Sequence, residues 1–206
     1  SIYKNIFKLE PASIYSFDLK KSQQKNYYWS INEALSINQT TPDQTYDILK
    51  NSVNSQMVSD VPLGVFLSGG IDSSLITALA QNFSKKKINS FTIGFKENAY
   101  DEANYAREVS KYLGTNHNET YLDYSSLNNL IDSLSQIYDE PFADSSQLPT
   151  ILLSIIKKKK VTVALSGDGG DELFGGYYRY FLAEKFKKLI FVQPKFFKSF
   201  LKNIIR

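Results

Sequence analysis

VFLSGGIDSS, residues 65–74, decides how the rest of the sequence is read. Three apolar residues, Val65, Phe66 and Leu67, run into a turn stripped to Ser68, Gly69 and Gly70. Asp72, Ser73 and Ser74 follow inside what reads as a helix start. A buried strand accounts for the apolar run and a helix for IDSSLITALA, but neither demands the paired glycines. Glycine lets backbone N–H groups approach an anion at φ values that a Cβ forbids. The first turn of a helix adds unpaired donors and about half a positive charge. The hydroxyls of Ser68, Ser73 and Ser74 supply further donors, so the turn is shaped to hold phosphate.

Alone, such a turn is equally well explained as a sharp strand-to-helix connection. A second one changes the balance: LSGDGGDELFGG, residues 165–176, follows VTVA and opens another helix. Neither stretch has the Gly-Lys-Ser/Thr ending of a Walker A loop or the spacing of a dinucleotide fingerprint. Both carry acids, Asp72 in the first and Asp168, Asp171 and Glu172 in the second, which would repel a phosphate unaided. A magnesium ion resolves the conflict, since it takes one or two carboxylates together with phosphate oxygens and waters. The structural alternatives are that Asp72 suits a helix N-terminus and that Asp171 caps a helix.

Around these turns the chain alternates. Strands are expected at 64–67, 88–95, 117–122 and 161–166, and helices at 71–83, 101–114, 125–139 and 148–158, with Gly114 as a helix stop. Near-continuous apolar strands in β-α order predict an α/β fold, a parallel sheet flanked by helices on both faces. In such a sheet ligands lie beyond the carboxyl ends of the strands, where both glycine turns fall. A helix over 42–58 is announced by Thr41 as N-cap, Pro42 and Gln44. The first forty residues read differently, as two or three short strands with a hairpin that precede the main fold. KKKK at 157–160 reads as a solvated helix end. His117, between Asn116 and Asn118, reads as a surface residue at a strand start.

Composition excludes several classes. The 206 residues, 42% apolar and 22% charged, suit one sizeable core. With no cysteine there is no disulfide, thiolate metal site or cysteine nucleophile within these residues, which suits a reducing compartment. A net charge of +3 gives no reason to expect a nucleic-acid partner. Apolar runs are too short for a bilayer span, so no membrane is expected. SIYKNIFKLE has no secretory h-region, and the expected location is cytoplasmic.

LSGGIDSS resembles the signature of the PP-loop ATP pyrophosphatases. SFTIGF, YDEANYAREVSKYLGTNHNE and LSGDGGDELFGGYYRY resemble more narrowly the glutamine-dependent asparagine synthetases, in order and at fitting spacing over about 61–180. SIYKNIFKLEPASIYSFD is similar, more weakly, to the end of that family's glutaminase domain. The resemblance implies residues 1–40 as a remnant of that domain with its linker, and 41–206 as an ATP-binding synthetase domain. It implies ATP with its base near Leu67 and Ile93 and its phosphates on Ser68, Gly69, Gly70, Asp72 and Ser73, completed by Ser166 and Gly167. It implies Mg2+ on Asp72 and Asp171. Adenylation of the aspartate side chain would give β-aspartyl-AMP and pyrophosphate, and ammonia derived from glutamine would then release asparagine and AMP. Asp168 stands where some members carry a glutamate credited with the proton transfer of the second step, one methylene shorter. Asp144, Ser145 and Ser146 fall where the family builds its substrate pocket, though loop polarity would explain them equally.

The chain departs from the family in beginning at Ser1 without the N-terminal cysteine nucleophile and in stopping soon after the second turn. The expectation is a fragment that keeps much of the nucleotide pocket and lacks glutamine hydrolysis. Other readings stay open: a β-lactam-synthetase-like or other PP-loop adenylating enzyme, or a non-catalytic ATP-binding fragment. The aromatic share of 14% suggests self-association, which leaves a homo-oligomer open.

Overall fold

The computed structural model describes residues 1–18, 23–35, 40–95, 101–122, 128, 130–144, 146–158 and 160–192. Near the start, β1 (Ser13–Phe17) and β2 (Gln23–Tyr27) pair as an antiparallel hairpin, Ser13 opposite Tyr27. A five-residue helix, α1 (Ile31–Leu35), follows where the sequence led us to expect only strands and linker.

The helix α2 (Pro42–Gln56) begins with the device its sequence announced. The Thr41 hydroxyl accepts from the Gln44 N–H at 3.3 Å, and the Gln44 side chain accepts from the Thr41 N–H at 2.9 Å. Two helix-end donors are thereby satisfied. Thr41→Ala should lower the unfolding free energy by about 1 kcal/mol. Urea denaturation checks this, and an unchanged midpoint would show that the capping box contributes nothing.

The main sheet is built from β3 (Leu63–Phe66), β4 (Asn89–Phe95), β5 (Asn116–Leu122) and β6 (Val163–Leu165). Its order is β5-β4-β3-β6 and every pairing is parallel. Between the strands lie α3 (Ile71–Phe83), α4 (Ala103–Leu113), α5 (Leu134–Ile137) and α6 (Gln147–Lys157). After β6 come α7 (Gly170–Phe174) and α8 (Tyr178–Val192). The crossovers through α3 and α4 run one way along the sheet, and the return from β5 to β6 runs the other way past β4 and β3. Right-handed crossovers then put α3 and α4 on one face and α6 on the other. The direction of winding reverses between β3 and β6, the position at which open α/β sheets bind ligands.

The α3 face carries the core. Val65, fully buried, packs with Val53 of α2, Leu79 and Ala80 of α3 and Ile88. On the opposite face Phe91 crosses Gly64, where a Cβ would sit 2.7 Å from the ring and 3.3 Å from Val161. β6 is the outermost described strand on its side, and its ladder spans three residues, Leu63 opposite Val163 to Val65 opposite Leu165. Among the described residues no helix is long and apolar enough to cross a membrane.

Several expectations are corrected. The helix expected over 125–139 is not continuous: a turn at 132–133 precedes the four-residue α5, and residues 123–127 lie outside the described set. Ser133 donates through both its N–H and its hydroxyl to the Leu130 carbonyl, at 3.0 and 2.8 Å, a local bonding pattern that competes with helix continuation. The strand expected at 161–166 shortens to β6, because the N–H groups of Thr162 and Val163 both turn to Pro62. His117 stands at the start of β5 as expected, but it is half-buried and not a surface residue. Its Nδ1 meets the Ser90 hydroxyl at 2.8 Å, Ser90 meets Thr115, and Thr115 meets Ser110 of α4. Burial holds the His117 imidazole below the usual histidine range.

Candidate active site

The turn after β3 is held in shape by its own hydroxyls. Ser68 Oγ and Ser73 Oγ lie 2.9 Å apart, Ser73 Oγ accepts from the Ser68 N–H at 3.2 Å, and Ser68 Oγ accepts from the Gly70 N–H at 3.3 Å. These bonds fix the curvature of 68–73 before any ligand arrives. Gly70 is the N-cap of α3 and contributes no side chain there, so the helix opens with backbone donors facing the turn. Ser74 was expected to offer a third hydroxyl. Its Oγ is instead enclosed, without a hydrogen-bond partner among the described residues.

Gly69 has φ +87, the left-handed region. A Cβ there would lie 2.6 Å from both the Ala106 nitrogen and the Tyr105 Cβ, so the first turn of α4 is a wall against which the loop rests. Two separate reasons require glycine at this position. Nothing in the sequence told which loop α4 would brace.

The turn after β6 meets the turn after β3 directly. A Cβ on Gly167 would sit 2.8 Å from the Ser73 nitrogen and 3.0 Å from the Asp72 carbonyl carbon. One on Gly170 would sit 2.5 Å from Asp72 Oδ2. The absence of side chains at 167 and 170 is what lets the two turns interlock with the Asp72 carboxylate between them. Ser68, Gly69, Gly70, Asp72, Ser73, Gly167 and Gly170 therefore form one continuous surface at the carboxyl end of the sheet. Ser166 Oγ donates to Asp168 Oδ2 at 2.9 Å, which aims one oxygen of the exposed Asp168 carboxylate and leaves the other outward.

Leu67 directly follows β3, and Ile93 lies within the neighbouring β4, two residues before its end. Leu67 is 1% exposed, and its N–H already donates to the Phe91 carbonyl at 3.0 Å. Its carbonyl accepts from the Thr92 hydroxyl. What remains to Leu67 is one carbonyl lone pair and apolar contact, fewer polar options than the sequence suggested. Ile93 is half-buried in β4.

Beyond the second turn Tyr177 folds back and its hydroxyl donates to Glu172 Oε1 at 2.5 Å. This bond holds the Glu172 carboxyl below its usual range and pushes Tyr177 up to about 12. The Arg179 guanidinium stacks over the Tyr177 ring at 4.1 Å. The sequence offered no signal for this cluster.

Asp144 and Ser146 bond to each other. The Ser146 hydroxyl and N–H donate to Asp144 Oδ1 at 2.7 and 2.8 Å, which holds the Asp144 carboxyl below its usual range. This is a turn at the entrance to α6, and no described contact joins it to the two glycine turns. Ser145 lies outside the described residues.

A hard dication fits the donors present. The Asp72 carboxylate lies against Gly170, whereas that of Asp171 lies against Gly176, where a Cβ would overlap its Oδ1. No group of three or more His, Asp or Glu side chains gathers among the described residues. Asp72 is the carboxylate at the junction of the two turns that could hold a metal, its remaining positions completed by phosphate oxygens and water, as magnesium accepts.

Comparison with known proteins supplies independent findings. The family "Asparagine synthase" matches residues 44–203. A putative asparagine synthetase [glutamine-hydrolyzing] 2 of Methanocaldococcus jannaschii is 45% identical over 181 residues, covering 86% of this chain and 35% of that protein. Asparagine synthetase B [glutamine-hydrolyzing] of Escherichia coli is 31% identical over 198 residues, covering 87% and 35%. The chain thus spans about a third of the length of these relatives. Among solved structures, a glutamine-dependent NAD+ synthetase of Acinetobacter baumannii, in complex with ADP, aligns with a TM-score of 0.50 at 22% identity. The alignment covers 79% of this chain and 31% of that one, a likeness of fold.

Proposed function

As the chain belongs to the asparagine synthase family, we propose that its interlocked turns activate the side-chain carboxylate of aspartate with ATP. Residues 41–206 are the synthetase portion in this reading, and 1–40 lead in from a glutaminase domain. Backbone donors and hydroxyls of Ser68, Gly69, Gly70 and Ser73, with Ser166 and Gly167 opposite, grip the triphosphate. Leu67 and Ile93 flank the base, and Asp72 and Asp171 face the pyrophosphate end. A magnesium ion held by those two carboxylates would neutralise charge on the departing pyrophosphate.

A carboxylate oxygen of aspartate attacks the α-phosphorus, the bond to the β-phosphate oxygen breaks, and pyrophosphate leaves. The turns contribute alignment and electrostatic stabilisation, which is most of what phosphoryl chemistry needs. Ammonia then attacks the activated carbonyl carbon, loses a proton and expels AMP. In this reading Asp168, one oxygen of which accepts from the Ser166 hydroxyl, takes that proton. The single observation that carries the reading is the packing of Gly167 and Gly170 onto Asp72 and Ser73. It brings the two glycine turns into contact, which supports reading them as one phosphate site.

The test is exchange of labelled pyrophosphate into ATP with aspartate and Mg2+. Aspartate-dependent exchange is expected. Exchange only with another carboxylic acid would reject aspartate and keep adenylation, as in β-lactam-forming relatives. Binding of ATP without any exchange would overturn catalysis and leave a nucleotide-binding piece.

A further inference from the structure

We propose that Arg107 is a positioning residue for the nucleotide site, acting through the α4 wall on the phosphate turn. The inference rests on the reading of 68–73 as that turn. Arg107 sits on α4 and uses its whole guanidinium. Nη1 donates to Asn104 Oδ1 at 2.9 Å, Nε and Nη2 grip Glu119 at 2.8 and 2.6 Å, and Nη2 also reaches the Tyr121 hydroxyl at 2.8 Å. Asn104 belongs to the first turn of α4, and its two successors, Tyr105 and Ala106, are the residues that Gly69 rests against. Glu119 and Tyr121 belong to β5. Arg107 therefore ties the wall of the phosphate turn to the sheet.

The far end of the tie is itself rigid. The Tyr121 ring lies over its pairing partner Gly94, where a Cβ would be 2.5 Å from the ring. Asp101 sits at the same glycine and accepts from the Ala103 N–H at 3.1 Å, so the start of α4 is anchored there too. The links are a bidentate pair to Glu119, single hydrogen bonds at Asn104, Tyr121 and Asp101, and close packing at Gly69 and Gly94, the kind of contiguous path along which displacement is transmitted. An exposed ion pair contributes little to stability. The consequence of losing this one lies in where Gly69 sits, not in whether the chain folds.

The experiment compares MgATP and adenosine binding by calorimetry for the unsubstituted chain, Arg107→Gln and Arg107→Lys, with thermal unfolding in parallel. Arg107→Gln is expected to weaken MgATP about fivefold to tenfold and to leave adenosine within twofold, since adenosine does not use the phosphate turn. Arg107→Lys should fall between, because lysine can pair with Glu119 but cannot also reach Asn104 and Tyr121. Equal loss for adenosine and MgATP in both variants would overturn the role. So would a lowered melting temperature with unchanged MgATP affinity. If the unsubstituted chain binds no MgATP, the nucleotide reading falls and this role falls with it. If it binds and both variants match it, only the role of Arg107 falls.

Discussion

Gly69→Ala is expected to weaken MgATP binding about a hundredfold while the far-ultraviolet circular dichroism stays that of the unsubstituted chain. An L side chain at φ +87 costs about 1–2 kcal/mol. That strain alone would be tolerable. The added Cβ, however, would lie 2.6 Å from the backbone nitrogen of Ala106, and no rotation of a side chain relieves a clash with backbone. Either the turn or the start of α4 must move by most of an ångström. A displacement of that size separates the donors of Ser68, Gly70 and Ser73 from the phosphates they are proposed to hold. Calorimetric titration with MgATP reads the effect. Unchanged affinity would show that this turn does not contact the nucleotide, and the proposed chemistry would go with it.

Asp72→Asn should act on the metal rather than on the loop. The amide keeps the shape that fits against Gly170 and removes the charge. Pyrophosphate exchange at saturating Mg2+ is expected to fall about a thousandfold, equivalent to about 4 kcal/mol. Binding of ATP with the metal chelated away should stay the same or tighten, because a carboxylate that repelled the phosphates is gone. The opposite signs separate a metal ligand from a merely structural acid. Equal loss with and without Mg2+ would make Asp72 a structural residue and refute its assignment as a ligand.

Much of this arrangement was legible in the sequence, for identifiable reasons. The β3-turn-α3 unit was readable because apolar run, glycine pair and helix start are contiguous, so local chemistry sufficed. The start of α2 followed from Thr41-Pro42-Asp43-Gln44, and the end of α4 from Gly114, which adopts φ +72. What escaped reading depends on contacts between distant residues. The amphipathic pattern of α4 tells which side buries Ala103, Ala106 and Ser110, not which loop its first turn meets. The fit of Gly170 onto Asp72 exists only once β6 has joined β3, so no local pattern encodes it. Asp144 and Ser146 were candidates for the aspartate contact with loop polarity as an equal explanation, and their mutual bonds could be inferred from neither reading.

One half of the site hangs from the sheet's shortest strand, the three-residue β6, the outermost described strand on its side. Such a rim breathes more readily than the centre. Its opening would carry Gly167 and Gly170 off Asp72, so the pocket exists only for the fraction of time the rim is zipped. A ligand that spans both turns binds the zipped form alone and by mass action favours it. If the two turns hold a nucleotide as proposed, nucleotide and β6 would act as mutual clasps, each fastening what the other needs closed.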